Sequence, residues 1–178
     1  MRLMLVLAAV ITLAVPAIPA GARQDADSAA TSSGEVLKPM PGLNLQDFDG
    51  KKVAWDEFKG NVLVVDFWAT WCGPCISEVP MLNKLQEKYA DRGLKVIGVT
   101  MASGEAKEVK SNPARAKMKY TVLMGDDDQS YDLNIFGFPT TYVVTKDMKI
   151  FRKYVGTGAQ KAARMEADIQ KLLGEKKQ

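Results

Sequence analysis

The residues that most constrain the fold are Val62-Leu63-Val64-Val65-Asp66-Phe67-Trp68, a short apolar run, followed almost at once by Cys72-Gly73-Pro74-Cys75. A β-branched run of this length after Gly60 reads as a strand buried on both faces. Gly73-Pro74 then opens a helix, because proline is favoured in the first turn, where its missing N–H would have had no partner. Ile76, Val79, Leu82, Leu85 and Tyr89 recur at steps of three or four, giving one buried helical face that ends at the stop signal Asp91-Arg92-Gly93. Strand, cysteine pair and helix therefore organise the centre of the chain. Pro80, inside that helix, predicts a kink.

The flanking segments extend the pattern. Leu94 to Val99 reads as a second buried strand, Glu105 to Lys119 as a charged helix carrying Pro113, and Val122 to Met124 as a short strand. Asp128 to Phe136 reads as a short helix, Thr140 to Val144 and Lys149 to Val155 as strands joined by the Lys146-Asp147-Met148 turn, and Ala159 to Leu173 as a closing amphipathic helix. Upstream, apolar residues around Leu43, Leu45, Val53 and Trp55, with the turn signal Asp49-Gly50, predict a hairpin and a short helical turn. Alternating strands and helices closed by a hairpin predict an α/β three-layer domain. With 178 residues, 47% of them hydrophobic, one domain with appendages is expected.

The appendages lie at the ends. Arg2, the apolar run from Leu3 to Val15 and Ala20-Gly21-Ala22 read as an export signal over residues 1–22, cleaved after Ala22. Because no charge falls between Arg2 and Arg23, an uncleaved membrane anchor is the alternative. Pro16, Pro19 and Gly21 favour cleavage, and no cysteine stands near the cleavage point to carry a lipid. Residues 23–35 read as a flexible linker, 36–174 as the folded domain and 175–178 as a frayed tail. The domain is thus expected outside the cytosol, in the periplasm or another extracytoplasmic space, where a cysteine pair either staples the fold or cycles.

The chemistry the chain can perform is narrow. Its cysteines number 2 and its histidines 0. A zinc site needs about four cysteine, histidine or carboxylate ligands, so a metal role for Cys72 and Cys75 is not expected. Asp126-Asp127-Asp128 lacks the alternating ligand spacing of a calcium loop. A net charge of +3 without a basic block gives nucleic-acid binding no support. A purely structural disulfide would remove little chain entropy, because it closes so few residues. With no histidine, proton transfer near neutral pH falls to perturbed carboxylates, thiols or water.

Two motifs carry a resemblance. Val65-Asp66-Phe67-Trp68-Ala69-Thr70-Trp71-Cys72-Gly73-Pro74-Cys75 is similar, almost residue for residue, to the active-site strand and loop of the thioredoxin superfamily. Gly137-Phe138-Pro139-Thr140-Thr141 is similar to that family's cis-proline loop. The N-terminal extension, the run Cys75-Ile76-Ser77-Glu78-Val79-Pro80 and the insertion around Met101 to Tyr120 resemble the exported TlpA/ResA-like thiol-disulfide oxidoreductases more than plain thioredoxin. The resemblance covers roughly Val36 to Leu173. It implies a thioredoxin fold, a central mixed β-sheet flanked by helices, with an N-terminal β-hairpin extension and an insertion before the cis-proline half.

Site roles follow from position and from that resemblance. Cys72, at a helix N-terminus where unpaired N–H groups stabilise a thiolate, is expected to be exposed and to attack. Cys75, deeper and less exposed, is expected to resolve the mixed disulfide by forming the Cys72–Cys75 bond. Asp66, on an otherwise apolar strand, should have a raised pKa, and the resemblance implies that it moves the proton of Cys75. Glu78, one turn after Cys75, resembles the acid characteristic of ResA-like proteins; its other reading is a surface helix residue. Pro139 is expected to be cis and Phe138 to pair with an extended client segment, while Trp71, Gly73 and Pro74 complete the substrate platform. Trp68, Phe67 and Trp55 read as core.

The leading reading is an exported enzyme that reduces client disulfides, with no cofactor and no metal. The resemblance implies apo-cytochrome c thiols or another exported protein as client and a membrane electron donor of the DsbD/CcdA kind. A thiol peroxidase is the second reading, weakened by the absence of a P-x-x-x-T-x-x-C sequence. A client-binding or chaperone module with a structural disulfide is the third. Copper delivery of the Sco type normally uses a histidine, which this chain lacks.

Overall fold

A computed structural model describes residues 31–32, 34–35 and 37–174. Its strands are, in chain order, β1 (Thr31–Ser32), β2 (Lys38–Pro39), β3 (Leu45–Gln46), β4 (Lys52–Val53), β5 (Val62–Trp68), β6 (Leu94–Thr100), β7 (Thr121–Met124), β8 (Thr140–Val144) and β9 (Lys149–Val155). Its α-helices are α1 (Gly73–Tyr89), α2 (Ala106–Ser111), α3 (Pro113–Ala116) and α4 (Ala159–Leu172). The export signal or anchor expected over 1–22 and the tail 175–178 lie outside the described residues. Among those described, no helix is long and apolar enough to cross a membrane.

Every residue of β5 is buried, as a run apolar at every position but Asp66 requires of a strand covered on both faces. It pairs in parallel with β6 and antiparallel with β8, so that Val65 faces Ile97 on one side and Tyr142 on the other. The sheet order is β1-β9-β8-β5-β6-β7-β3-β4, with β2 also on β9, and the parallel β6–β7 pair makes the sheet mixed. Alternation along β5 sorts the core into two layers. Val62, Val64 and Trp68 pack under α1 and α4 with Val79, Leu82, Met165 and Ile169. Leu63, Val65 and Phe67 pack on the opposite face against Leu43, Trp55, Leu133 and Ile135.

The N-terminal hairpin forms around Asp47 to Lys51, where Gly50 takes φ 82°, and β3 adds it to the sheet edge at β7. A single 3-10 turn, Trp55–Phe58, follows as expected. Helix α1 begins at an N-cap provided by Cys72, carries Pro74 in its first turn, and is followed by a 3-10 turn closed by Gly93 at φ 93°. The kink expected at Pro80 does not interrupt it, and Pro80 lies on its exposed side.

Three expectations are corrected. The charged helix over 105–119 is two short helices, because Asn112 precedes a proline and adopts the extended φ −68°, ψ 130° instead of a helical pair. Asn112 then caps α3 by accepting from the Ala114 N–H at 2.8 Å. The helix over 128–136 shrinks to one 3-10 turn, Asp127–Ser130, after which Asn134 takes φ 52°. Within the stretch read as linker, Thr31–Ser32 pairs with Val155 and Tyr154 of β9.

Candidate active site

Cys72 and Cys75 are joined in a disulfide at the start of α1. The Cys72 backbone is extended, as an N-cap requires, and its Sγ accepts from the Cys75 N–H at 3.2 Å. Gly73 and Pro74 are exposed on the outer side of this turn. The expected order of accessibility holds, but Cys72 is not open: it is 4% exposed against 1% for Cys75. Bonded to Cys75 and bent back over the first helical turn, Cys72 belongs to the apolar cluster of Trp68 and Val79, with half-buried Phe138 packed against it.

Two loops frame the pair. Phe138-Pro139 is a cis peptide, immediately before β8. Trp71 is 67% exposed, its ring edge-on to Phe138 with centroids 5.9 Å apart. Its Nε1–H donates to the Ala102 carbonyl at 2.8 Å, and the Thr70 N–H donates to Ser103 Oγ at 2.9 Å. The loop after β6 thus holds the active-site loop in place, a role that sequence reading did not assign to Ala102 or Ser103. Tyr131 and Phe136, also in edge contact with each other, are exposed on the chain leading into the cis-proline loop. Trp68, Phe67 and Trp55 are core, as expected.

Asp66 is 1% exposed and lies, by alternation along β5, on the face of Val64 and Trp68 that α1 covers. It accepts from Thr141 Oγ1 at 2.8 Å. Burial pushes its pKa up to about 7; Lys161 pulls against that, Glu78 adds to it, and the Thr141 bond opposes it slightly. The alternative of a surface Glu78 does not hold, since Glu78 is buried. Its Oε2 lies 2.6 Å from the Nζ of Lys161, which is 1% exposed and reaches it from the first turn of α4. Burial raises the Glu78 pKa, and Lys161 offsets part of that rise by charge and hydrogen bond. Sequence reading missed Lys161. The available signal was its place four residues before Met165, on the same helical face as the buried Met165 and Ile169.

The acidic run Asp126-Asp127-Asp128 is engaged within the fold. Asp126 accepts from the Asn44 side chain and caps Asp128, while Asp127 accepts from the Ala102 N–H. Among the described residues no group of three or more cysteines, histidines or carboxylates could hold an ion.

A disulfide-forming pair capping the first helix after a buried central strand, with a cis-proline loop beside it, defines a thiol-disulfide oxidoreductase of thioredoxin-like fold. The chain belongs to the Redoxin family, whose model matches residues 35–173. It is similar to the thioredoxin-like protein YneN of Bacillus subtilis (strain 168), 32% identical over 131 residues, 72% of this chain and 76% of that one. It is also similar to the thiol-disulfide oxidoreductase ResA of Bacillus cereus, 29% identical over 78% of this chain and 79% of that one. Among solved structures, a putative thiol:disulfide interchange protein DsbE from Chlorobium tepidum superposes with a TM-score of 0.68 at 26% identity, covering 80% of this chain and all of the other.

Proposed function

We propose that the protein is exported and reduces disulfides in extended segments of client proteins, with Cys72 as the attacking and Cys75 as the resolving sulfur. The observation that carries this reading is the placement of the Cys72–Cys75 bond at the α1 N-terminus, on the sheet face that also holds the buried Asp66. In the dithiol form, the Cys72 thiolate is stabilised by the first N–H groups of α1, the Cys75 N–H among them. It attacks one sulfur of the client disulfide; a Cys72–client bond forms, the client S–S bond breaks, and the first client sulfur leaves as thiolate. Cys75 then gives its proton to a buried carboxylate, Asp66 or Glu78, and attacks Cys72 Sγ. The Cys72–Cys75 bond forms and the second client sulfur leaves, so two electrons have passed to the client.

The exposed rings of Trp71, Tyr131 and Phe136, with Phe138 at their edge, form the platform for the client backbone. Gly73 and Pro74, exposed on the same turn, keep the approach to Cys72 free of bulk. The proposed clients are exported proteins with paired cysteines, apo-cytochrome c among them. The electrons return from a dithiol carried by a membrane protein of the DsbD/CcdA kind. The leader-like residues 1–22 support export, and the names of the ResA and DsbE relatives support thiol-disulfide exchange as the reaction.

The reduction potential tests the direction. Equilibration against glutathione is expected to give a value near that of thioredoxin, about −270 mV. A value near the oxidising end of the superfamily, about −120 mV, would make the protein a folding oxidant instead.

A further inference from the structure

Two carboxylates lie within electrostatic reach of one another beneath the disulfide, yet among the described residues only one of them has a cation in contact. Lys161 Nζ donates to Glu78 Oε2 at 2.6 Å and to the Gly156 carbonyl at 2.8 Å, whereas Asp66 accepts from the neutral Thr141 hydroxyl at 2.8 Å. Lys161 has no competing acid on its own helix. Glu166 of α4 is engaged by Lys88 and Tyr89 of α1, and Asp168 of α4 by Arg152 and Tyr154 of β9. From the side of α3 and β7, Arg115 and the buried Tyr120 hydroxyl also face the cluster, and burial with the charges of Asp66 and Glu78 keeps that phenol protonated. The groups of the cluster are therefore two carboxylates, one ammonium, one neutral phenol and the cysteine pair, with the half-buried Arg115 guanidinium at its edge beside Tyr120.

We propose that Lys161 is a positioning residue that divides the work between the two carboxylates: by holding Glu78 ionised, it leaves Asp66 as the group that accepts the proton of Cys75. A buried ion pair is poor packing, since apolar residues of similar volume serve stability as well or better. Its place at this site is better accounted for by charge. With Glu78 and Lys161 cancelling, the trio of Asp66, Glu78 and Lys161 is neutral when Asp66 holds a proton and carries one negative charge when it does not. The charge-assisted bond belongs to Glu78, so a proton entering the pocket goes to Asp66. The rise of the Asp66 pKa to about 7 agrees with that order. In the resolving step, Cys75 S–H and Asp66 carboxylate become Cys75 thiolate and Asp66 carboxylic acid, and the thiolate displaces the client sulfur from Cys72.

This inference rests on the proposed role of a buried carboxylate in resolution, and one kinetic series separates the two. The measured quantity is the rate of resolution of a preformed mixed disulfide between Cys72 and a cysteine peptide, from pH 5 to pH 9. The wild-type rate is expected to rise with pH through one step near neutrality, and Asp66→Asn to abolish that step. Glu78→Gln removes a negative neighbour and leaves Lys161 unpaired, so the step moves to lower pH by about 1 unit. Lys161→Met removes the positive neighbour, so it moves to higher pH by a similar amount. The Glu78→Gln/Lys161→Met double variant removes both charges together, keeps the interior neutral if the single lysine variant does not fold, and places one step between the two extremes. A step that survives Asp66→Asn but vanishes in Glu78→Gln, or midpoints that ignore both Lys161→Met and the double variant, would overturn the assignment to Lys161 alone. A pH dependence untouched by either carboxylate substitution would remove the carboxylate reading, and this inference with it.

Discussion

Thr141 Oγ1 and Asp66 Oδ1 are joined by a 2.8 Å hydrogen bond between directly paired residues of β8 and β5, in the part of the sheet that α1 and α4 cover. The hydroxyl can serve either charge state of the acid, and burial decides in favour of the neutral one, lifting its pKa from 3.8 to about 7. An acid whose folded pKa is raised binds more protons in the native state than in the unfolded chain across that interval. Stability therefore falls as pH rises from about 4 to about 7 and stays lower above it, by an amount on the order of 4 kcal/mol at most. Asp66→Asn keeps an acceptor for Thr141 and removes the titration. The variant is expected to match wild type below about pH 4 and to be more stable by a few kcal/mol at pH 8. Urea unfolding of the disulfide form at both pH values checks this, and equal urea midpoints at pH 8 would contradict it.

The cysteine roles make a second prediction. Cys72→Ala is expected to lose disulfide exchange by at least about 10³-fold and to form no adduct with a client. Cys75→Ala retains the attacking sulfur and accumulates the mixed disulfide, because nothing displaces the client. Mass spectrometry of the two variants after incubation with an oxidised cysteine peptide reads this directly. Equal trapping by both would overturn the assignment, and because residue exposure is 4% for Cys72 against 1% for Cys75, the trapping experiment and not accessibility decides between them.

How much of this was legible in the residues depends on whether the signal was local. β5 and α1 were, because a run apolar but for Asp66 and a 3.6-residue repeat follow directly from being buried on two faces and on one face. The break at Asn112-Pro113 was also written locally, in the steric bias of a residue before proline, but the charge pattern on both sides masked it. Lys161 could not be recognised in the same way. A lysine on a helix is ordinarily solvated, and its burial depends on a carboxylate 83 positions away on another helix. Ala102 and Ser103 escaped for a related reason: they act through a backbone carbonyl and a short hydroxyl, and Ala102 takes φ 46°, none of which residue type discloses.

Trp71 supplies a third prediction. Its ring is largely solvent-exposed, and the indole N–H bond to Ala102 fixes it beside Phe138. A rigid aromatic edge next to the disulfide contributes to holding a polypeptide and nothing to thiol chemistry as such. Trp71→Ala is expected to raise KM for a peptide disulfide about 3- to 10-fold, as the loss of one aromatic contact implies, with the rate toward a small dithiol within about twofold of wild type. Steady-state kinetics with both substrates separate the two effects. A matched fall with the small dithiol would place Trp71 in the chemistry of the sulfurs.

Gly125 tests the frame beneath that loop. Its N–H donates to the Thr100 carbonyl at 2.9 Å where β7 leaves β6. A Cβ built there would stand 2.5 Å from Met101 Sδ, 2.6 Å from Val99 Cγ1 and 3.3 Å from the Thr100 carbonyl oxygen. Met101 can swing its thioether aside, but Val99 is buried in β6 and its branched side chain has little rotamer freedom. Gly125→Ala is thus expected to destabilise by about 1–3 kcal/mol, a fall of roughly 2–10 °C in Tm for a domain of this size. The strain falls next to Ala102 and Ser103, so it should also loosen Trp71 and raise KM for a peptide disulfide. Gly73→Ala is the contrasting case: a Cβ there meets nothing within 4 Å, so stability should stay within about 0.5 kcal/mol of wild type. Calorimetry of the two variants side by side distinguishes a glycine required by packing from one whose backbone and surroundings accept a side chain, and an unchanged Tm for Gly125→Ala would show that β6 yields where its packing says it should not.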